Sequence, residues 1–206
     1  MQIIQEKSTA PRGRFNRDEN VLAAAIEVMS ERGYSATTIQ EVADRVGVLK
    51  GSLYHYFSSK EELLYRILEE SYRQNAQIVE QVTALGLPAF EELMEYLRRV
   101  SFWYLSNVER ANIFFSEGRH LTGDRLERAR QSGREYEAYF QGLVTRAQED
   151  GVVRSDLDAK LINRFLLGTI NSIRSWPSRS GQNFSDESIV ESFLALVKPA
   201  ILASTS

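Results

Sequence analysis

Cysteine is absent from this chain of 206 residues, and proline occurs only four times. Without cysteine the protein can form no disulfide bond, no thiolate metal site and no cysteine nucleophile, which suits a reducing compartment. No apolar run reaches the length of a signal peptide or of a membrane-spanning helix. We therefore expect a cytoplasmic protein with no membrane partner.

Signatures of strands and of enzymes are scarce as well. The sequence has no alternating runs of β-branched residues, which together with the few prolines predicts an all-α fold. It has neither a phosphate-binding glycine loop nor a Gly-x-Ser-x-Gly elbow, so an enzyme is not expected. Glu117 and His120 have the i, i+3 spacing of a helical metal pair, but with only two histidines and no cysteine we expect no metal and no cofactor.

Excess positive charge is also missing, since the net charge is −3 in a composition otherwise ordinary for a globular protein. Residues 1–60 hold eight Lys or Arg against seven Asp or Glu, which leaves 17 against 21 for the remainder. Bulk charge therefore does not indicate a nucleic-acid-binding protein. Local placement does, because basic residues precede the first predicted helix and flank a short helix further on. They are Arg12, Arg14, Arg17, Lys50 and Lys60.

The segment from Ala36 to Lys60 predicts two short helices joined by a tight turn. Thr38 precedes an apolar-periodic run and Glu41 follows three residues later, which is the pattern of a capping box. Gly47 then stands where the chain needs a positive φ. Two helices this short need a third as a platform, which the pattern predicts over about residues 16–32. The shape is a helix-turn-helix.

The second short helix carries side chains suited to the major groove of double-stranded DNA. Gly51 lets the backbone approach phosphate closely, and Lys50 supplies positive charge. Ser58 or Ser59 would cap the next helix, which places Lys60 beside N–H groups that bind phosphate. The alternative is a helical hairpin with ordinary surface tyrosines. The predicted DNA-binding residues are Thr38, Gln40, Lys50, Gly51, Ser52, Tyr54, His55, Tyr56 and Lys60.

Several short motifs recur together over residues 17–68. They are Gly33-Tyr34, Thr37-Thr38, Val42-Ala43, Val46-Gly47-Val48, Gly51-Ser52-Leu53-Tyr54-His55-Tyr56-Phe57 and Lys60-Glu61-Glu62-Leu63-Leu64. In this order they resemble the DNA-binding domain of the TetR family of bacterial regulators. Where that family usually has histidine this chain has Tyr56, and His55 stands one place earlier. The resemblance implies a homodimeric regulator that binds a palindromic operator.

The apolar pattern divides the chain into three parts. We expect a flexible N-terminal arm over residues 1–12, a helix-turn-helix DNA-binding domain over residues 13–60, and a ligand-binding and dimerisation domain over residues 61–206. A long helix from Lys60 to about Leu85 would join the last two parts. The prediction is thus a three-helix N-terminal domain plus a larger helical domain, with about nine helices in all.

Aromatic residues are dense between residues 97 and 176, with arginines among them. Apolar walls with a few polar groups are typical of a small-molecule cavity, and equally of an ordinary core. A buried guanidinium needs an anion, so the arginines favour a cavity unless Glu117, Glu135 or Asp124 pairs with them. The predicted ligand-binding residues are Phe102, Tyr104, Phe114, Arg119, Arg134, Tyr139, Phe140, Asn171, Arg174 and Trp176.

The last two predicted helices are apolar over a broad stripe, which a monomer would expose. Two such helices from each subunit can form a four-helix interface, so we expect a homodimer. The alternative is that these helices complete the core of a monomer. The predicted interface residues are Phe165, Leu166, Ile170, Phe193, Leu196 and Val197.

Weaker motifs in the larger domain resemble the TetR branch that senses acyl-CoA thioesters. They are Glu117-Gly118-Arg119-His120-Leu121, Arg134-Glu135-Tyr136, Gly151-Val152-Val153-Arg154-x-Asp156-Leu157, and Trp176-Pro177 near Gly181. The resemblance implies a repressor that a CoA thioester releases from DNA. Two alternatives remain open. One is a hydrophobic drug-like effector, which would favour buried carboxylates over arginines, and the other is a DNA-binding dimer without a physiological effector, which a filled core would favour.

Overall fold

The structure is a computed structural model that describes residues 12–176 and 184–203, with side chains from Asp18 onward. Over these residues it contains nine α-helices, two 3₁₀ turns and one isolated bridge between Val153 and Leu202, which confirms the all-α prediction. The helices are α1 (Arg12–Ala36), α2 (Ile39–Val46), α3 (Lys50–Leu53), α4 (Lys60–Thr83), α5 (Ala89–Ser106), α6 (Val108–Ser116), α7 (Gly123–Glu149), α8 (Ala159–Ser172) and α9 (Asp186–Ile201). None of these described helices combines the length and apolarity that crossing a bilayer requires. Apart from Arg12, the predicted N-terminal arm lies outside the described residues.

Helices α1 to α3 form the helix-turn-helix, and its local signals act as the sequence predicts. The Thr38 hydroxyl accepts from the backbone N–H of Glu41 at 3.2 Å, while the Glu41 carboxylate accepts from the backbone N–H of Thr38 at 2.9 Å. The bond from the Thr38 backbone N–H, and then a bond from the Thr38 hydroxyl at 3.0 Å, hold the pKa of the Glu41 carboxylate below its usual value. Gly47 ends α2 in the left-handed region at φ 76°, where a residue with a Cβ would be strained.

Helix α1 is longer than predicted and α3 is shorter. Helix α1 starts at Arg12 and continues past Gly33, where the backbone leaves helical geometry at φ 75° and ψ 162°. The kink turns the last residues of α1 toward α2. Helix α3 ends at Leu53, so Tyr54 and His55 lie in a following turn and not on a regular helix.

Two apolar cores share α4. The first half of α4 buries Leu63, Leu64 and Ile67 against α1 and α2, whereas Val82 near its end belongs to the core of the larger domain. Ile113 of α6 also packs in the first core, so α6 contacts the DNA-binding domain directly. The polypeptide therefore provides two mechanical routes between the domains, one through α4 and one through α6.

Helices α8 and α9 complete the larger domain. Helix α8 is capped by Asp158, whose carboxylate accepts from the backbone N–H of Lys160. The carboxylate of the nearby Asp156 is bound to Arg154 instead. Ser185 caps α9, with its hydroxyl accepting from the backbone N–H of Ser188. The two caps fix where each helix starts and so which of its faces can turn inward.

Candidate functional site

The predicted DNA-binding surface centres on α3 and the turn after it. Lys50, Gly51, Tyr54 and His55 are all exposed there, as the predicted contacts require. Leu49 is 80% exposed at the start of α3, and Tyr54 is 50% exposed. A Cβ added to Gly51 would meet open space, so the glycine leaves a gap on the outer face of the helix. Exposed apolar and aromatic groups next to a lysine suit contact with bases and backbone in a groove.

Other predicted DNA-binding residues have structural partners. Thr38 is exposed but its hydroxyl belongs to the capping box. Gln40 is exposed and donates to Asp44 at 2.7 Å. Tyr56 is half-buried and packs against the first core, whereas Ser52 is half-buried on α3. Of these four, Gln40 and Ser52 remain the best candidates for a DNA contact. Their side chains can turn outward without breaking a helix cap or leaving an apolar core.

Lys60 requires a correction. Its Nζ donates to the backbone carbonyls of Tyr34, Ser35 and Thr37 at 2.9, 3.1 and 2.9 Å, and it lies 4.5 Å from the centre of the Tyr34 ring. An ammonium group has three N–H donors, and all three are used here. Lys60 therefore satisfies the carbonyls where α1 ends, and the expected phosphate contact is wrong for this geometry.

A cavity of about 660 Å³ lies between α4 and α7 in the larger domain. Helices α5, α6 and α8 close its inner side. Its walls are mostly apolar and aromatic, and they come from Leu68, Tyr72, Val79, Trp103, Tyr104, Phe114, Phe115, Tyr136, Tyr139 and Leu167. Its size and apolar lining are those of a site for a small organic molecule.

The cavity contains four of the ten predicted ligand-binding residues. Tyr104, Phe114, Tyr139 and Asn171 lie on its wall, and the other six do not. Phe140 is wholly buried in the core behind the wall, while Phe102 and Trp176 pack against that core. Pro177 and Gly181, which belong to the motif after Trp176, lie outside the described residues.

The three predicted arginines are all placed elsewhere, so this part of the ligand prediction needs correction. Arg119 and Arg134 are exposed, and Arg134 pairs with Glu127 at 2.8 Å. Arg174 donates to Asn112 at 2.9 Å and stacks over the Phe115 ring, which fastens α6 to the end of α8. Arg134 and Arg174 thus already have partners in the folded chain, and none of the three arginines lines the cavity.

Other charged residues form the rim of the cavity. They are Glu69, Arg73, Glu80, Arg128, Glu135 and Glu137, all exposed on α4 or α7. Four carboxylates against two guanidinium groups make the rim acidic on balance. The sequence contained a signal for the α4 side, because positions 69, 73, 76 and 80 repeat at helical spacing along one face.

Tyrosine hydroxyls and two carboxamides gather at the inner end of the cavity. The Tyr96 hydroxyl donates to Asn75 Oδ1 at 3.0 Å, and the Tyr104 hydroxyl donates to Asn171 Oδ1 at 3.4 Å. Burial raises the pKa of Tyr96, Tyr104 and Tyr136 well above the usual value. These phenols therefore stay protonated, and each keeps a hydrogen to donate.

Glu92 lies behind the cavity wall and binds the hydroxyl of the wall residue Tyr139. This buried carboxylate accepts from the hydroxyls of Tyr139 and Thr83 at 3.0 and 3.1 Å, and Arg146 lies 3.3 Å away. Burial, and then the bond to Glu92, raises the pKa of Tyr139 to about 12. The network ties the ends of α4, α5 and α7 together and fixes the Tyr139 ring as a wall.

A second set of contacts connects the cavity domain to the DNA-binding domain. The Glu61 carboxylate accepts from the backbone N–H and the hydroxyl of Thr122 at 2.7 and 3.0 Å, where α7 begins. His120 stacks on Tyr34 with ring centres 4.8 Å apart and lies 3.2 Å from Glu117. No cluster of three metal-ligating side chains occurs in the described parts of the chain.

The structure divides the predicted dimer residues into two groups. Phe165 and Leu196 are 49% and 70% exposed on α8 and α9. Leu166, Ile170, Phe193 and Val197 are at most 1% exposed, because they pack inside the core of the single chain. Those four residues are unavailable at the surface and are corrected to core positions. Leu161 of α8, which is 58% exposed, joins Phe165 on the outside of the domain.

Comparisons with known proteins match both parts of the chain. The family profile described as bacterial regulatory proteins, tetR family, matches residues 21–67, and the profile described as tetracyclin repressor-like, C-terminal domain, matches residues 86–199. HTH-type transcriptional repressor KstR2 of Rhodococcus jostii (strain RHA1) is 29% identical over 187 residues, which are 90% of this chain and 91% of that protein.

Two solved structures are similar over nearly the whole chain. The ketosteroid transcriptional regulator KstR2 of Mycobacterium tuberculosis matches with a TM-score of 0.84 at 23% identity, over 98% of this chain and 100% of that one. AibR, solved in complex with isovaleryl coenzyme A and operator DNA, matches with a TM-score of 0.80 at 23% identity, over 89% and 98% of the two chains. At these identities the two structures show a shared fold.

Proposed function

The chain belongs to the TetR family of bacterial regulatory proteins and is a TetR-type transcriptional repressor, not an enzyme, and from that premise we propose that a CoA thioester releases it from its operator. In this proposal a homodimer binds a palindromic operator through α3 and the turn after it. The effector enters the cavity between α4 and α7, and its binding changes the separation of the two recognition helices.

The cavity is the observation that supports effector control most directly. Its wall includes Tyr65 and Leu68, and Leu68 also packs in the core of the DNA-binding domain. A molecule that pushes on this part of α4 would therefore act on both domains. To release DNA it must favour the low-affinity arrangement by about 1–3 kcal/mol or more. A regulator without an effector would have no need of a cavity, so the cavity disfavours that alternative.

The choice of a CoA thioester is supported by a protein of the same fold. AibR forms a complex with isovaleryl coenzyme A and operator DNA. In this chain the acyl group would lie along the aromatic wall, and the nucleotide would remain at the rim near Arg73 and Arg128. A phosphate there would find a guanidinium partner in Arg128, whereas Arg73 already pairs with Glu70 at 2.6 Å and acidic residues outnumber the arginines.

The acidic rim supports a second candidate, a neutral or cationic hydrophobic effector. Four carboxylates at the opening repel a polyanion and attract a cation at low salt. The two candidates predict opposite responses to the CoA moiety. A CoA thioester should bind more tightly than its parent acid or ester if the first candidate is right, and less tightly if the second is right.

Fluorescence anisotropy on DNA from upstream of the coding region tests the proposal. We expect tight binding that a medium- or long-chain acyl-CoA relieves, and little relief by CoA alone or by the corresponding methyl ester. Relief by the methyl ester and not by the thioester would favour the second candidate. No binding to any upstream fragment at low salt would contradict the operator assignment.

A variant that fills the cavity tests whether the effector binds there. Gly133 lies on the cavity wall, and a Cβ there would lie 3.6 Å from the Tyr72 hydroxyl. Gly133→Leu should keep operator affinity but lose the response to the thioester, because the added side chain occupies the cavity. A variant that still responds would place the effector outside this cavity.

A further inference from the structure

Leu49 is the most exposed large apolar side chain in the described part of the chain, at 80%. It packs in neither apolar core, whereas Leu53 of α3 is buried at 2%. Single exposed leucines are common on protein surfaces, so exposure alone assigns no role. The position of Leu49 is what makes it informative, because it immediately precedes the second helix of the helix-turn-helix.

Leu49 occupies the N-cap position of α3 without capping the helix. Its backbone is extended, with φ −69° and ψ 140°, and its side chain makes no cap hydrogen bond. Serine, threonine and asparagine adopt this conformation and would supply the cap. A hydroxyl or carboxylate does so at the same position in α2, α4, α8 and α9. A four-residue helix has few internal hydrogen bonds, so an uncapped end that weakens it points to a role for Leu49 outside the fold.

The backbone holds Leu49 at a fixed place on the outer surface. The Ser52 N–H donates to the Leu49 carbonyl at 2.8 Å, and Gly47 ends α2 two residues earlier. Lys50 and Gly51, which follow Leu49, are exposed as well. In a helix-turn-helix the N-terminal residues of the second helix contact base edges in the major groove. Leu49 lies at that end of α3.

The major groove of DNA offers a leucine one apolar partner. Guanine, cytosine and adenine present hydrogen-bond donors and acceptors there, whereas thymine presents a C5-methyl group beside its O4 acceptor. A leucine placed against a polar edge or a phosphate would displace water without replacing its hydrogen bonds, which is unfavourable. Against a thymine methyl group it removes apolar surface from water on both sides, which is favourable. The chemistry of Leu49 therefore favours an A·T base pair.

We propose that Leu49 is a specificity-determining residue that recognises the C5-methyl group of a thymine in each operator half-site. The inference rests on the proposed operator binding through α3 and makes it more specific. Lys50 and Leu49 then have separate roles, since a phosphate contact sets affinity and a base contact selects the sequence. Each subunit of a dimer supplies one leucine, so the two thymines lie at symmetry-related positions of the operator.

Replacement of thymine by deoxyuridine tests the inference, because it removes the methyl group and keeps the base pair and its acceptors. Fluorescence anisotropy compares two duplexes, which are the upstream fragment that binds most tightly and the same fragment with deoxyuridine at every thymine. We expect the deoxyuridine duplex to bind the unmodified protein about 15-fold more weakly, from about fourfold for the methyl contact in each half-site. Replacement of one symmetry-related pair of thymines at a time should assign that loss to a single position in each half-site.

Leu49→Ser and Leu49→Met form a matched pair of variants. Serine removes the apolar contact, so the two duplexes should bind within about twofold of each other. It also supplies a cap, so thermal unfolding should be unchanged or shifted upward, and the lost preference cannot be ascribed to misfolding. Methionine keeps an apolar side chain of similar size and should keep most of the preference. Lys50→Met is the control for a phosphate contact, and it should weaken binding of both duplexes by the same factor.

The remaining outcomes separate this inference from the proposed function. Equal binding of the two duplexes by the unmodified protein overturns the thymine inference and leaves operator binding in place. A preference that survives in Leu49→Ser, or a loss spread evenly over many thymines, overturns the role of Leu49, because the methyl groups would then act through other residues or through the stiffness of the DNA. No binding to any upstream fragment at low salt overturns both, because the operator assignment itself would be wrong.

Discussion

At the scale of single residues, the fixed number of donors on an ammonium group decides what Lys60 does. Three backbone carbonyls near the end of α1 accept from its Nζ, and the Tyr34 ring lies beneath it. Lys50 is exposed on α3 and is not involved in any salt bridge within the described residues. Lys60 therefore contributes to stability, whereas Lys50 stays available for the DNA contact that we predict.

Lys60→Met should lower the free energy of unfolding by about 2 kcal/mol, because three carbonyls lose a charged donor. Lys50→Met is the matched control and should leave unfolding unchanged within about 0.5 kcal/mol. It should weaken operator binding and reduce the salt dependence by about one phosphate contact. Urea denaturation and anisotropy at several salt concentrations measure both quantities. A Lys60→Met protein with unchanged stability and a reduced salt slope would restore the phosphate role.

At the scale of elements, the kink at Gly33 determines how α1 meets both its neighbours. The backbone there has φ 75° and ψ 162°, a combination that is nearly restricted to glycine. It lets Tyr34 turn toward Lys60 on one side and His120 on the other. A straight α1 would carry Tyr34 away from both, so the contact between α1 and the 3₁₀ turn Gly118–His120 depends on this one residue.

Gly33→Ala should destabilise the protein by about 1–3 kcal/mol. A Cβ there would lie 3.8 Å from Glu117, which is ordinary contact, so the loss comes from backbone strain. Gly142→Ala on α7 is the control, since the backbone is helical and its Cβ would contact only the tip of Arg146. That change should stabilise the helix by about 0.5–1 kcal/mol. Thermal unfolding of the two variants should shift in opposite directions, and equal shifts would contradict the strain argument.

At the scale of the whole molecule, the outer faces of α8 and α9 remain uncovered in the single chain. Leu161, Phe165 and Leu196 are 58%, 49% and 70% exposed. The buried sides of the same helices already fill the core of the larger domain. We therefore predict a dimer in which the outer faces of these helices meet, with the inner faces left to the fold of each subunit.

Phe165→Glu combined with Leu196→Glu should convert the dimer to a folded monomer. A charge buried in an apolar interface is unfavourable, and we expect the dissociation constant to rise roughly 30-fold or more. Sedimentation velocity measures the association, and circular dichroism should show unchanged helix content. Leu85→Glu is the control, because Leu85 is 49% exposed after the end of α4 and should not affect association. A doubly substituted protein that stays dimeric would place the interface elsewhere.

The sequence by itself determined the local structure and the family. The capping box at Thr38, the left-handed Gly47 and the cap at Ser185 depend on bonds between residues a few positions apart, so their patterns are readable in the chain. The helical periodicity predicted the all-α fold, and the motifs from Gly33 to Leu64 indicated the family. Helix ends followed the local pattern less closely. The lengths of α1 and α3 differ from those predicted, because a kink and a turn override the local pattern.

Tertiary structure decided which face of each helix is buried, which is exposed and which lines the cavity. Consecutive side chains on a helix point about 100° apart, so one residue can be buried while the next is exposed. Tyr139 lines the cavity and Phe140 lies in the core behind it, just as Phe165 is exposed and Leu166 is buried. Lys60 and Arg174 follow the same rule, because their partners Tyr34 and Asn112 come from distant parts of the chain. Composition and spacing cannot supply those partners, since only the packing of α4 on α1, and of the end of α8 on α6, brings them together.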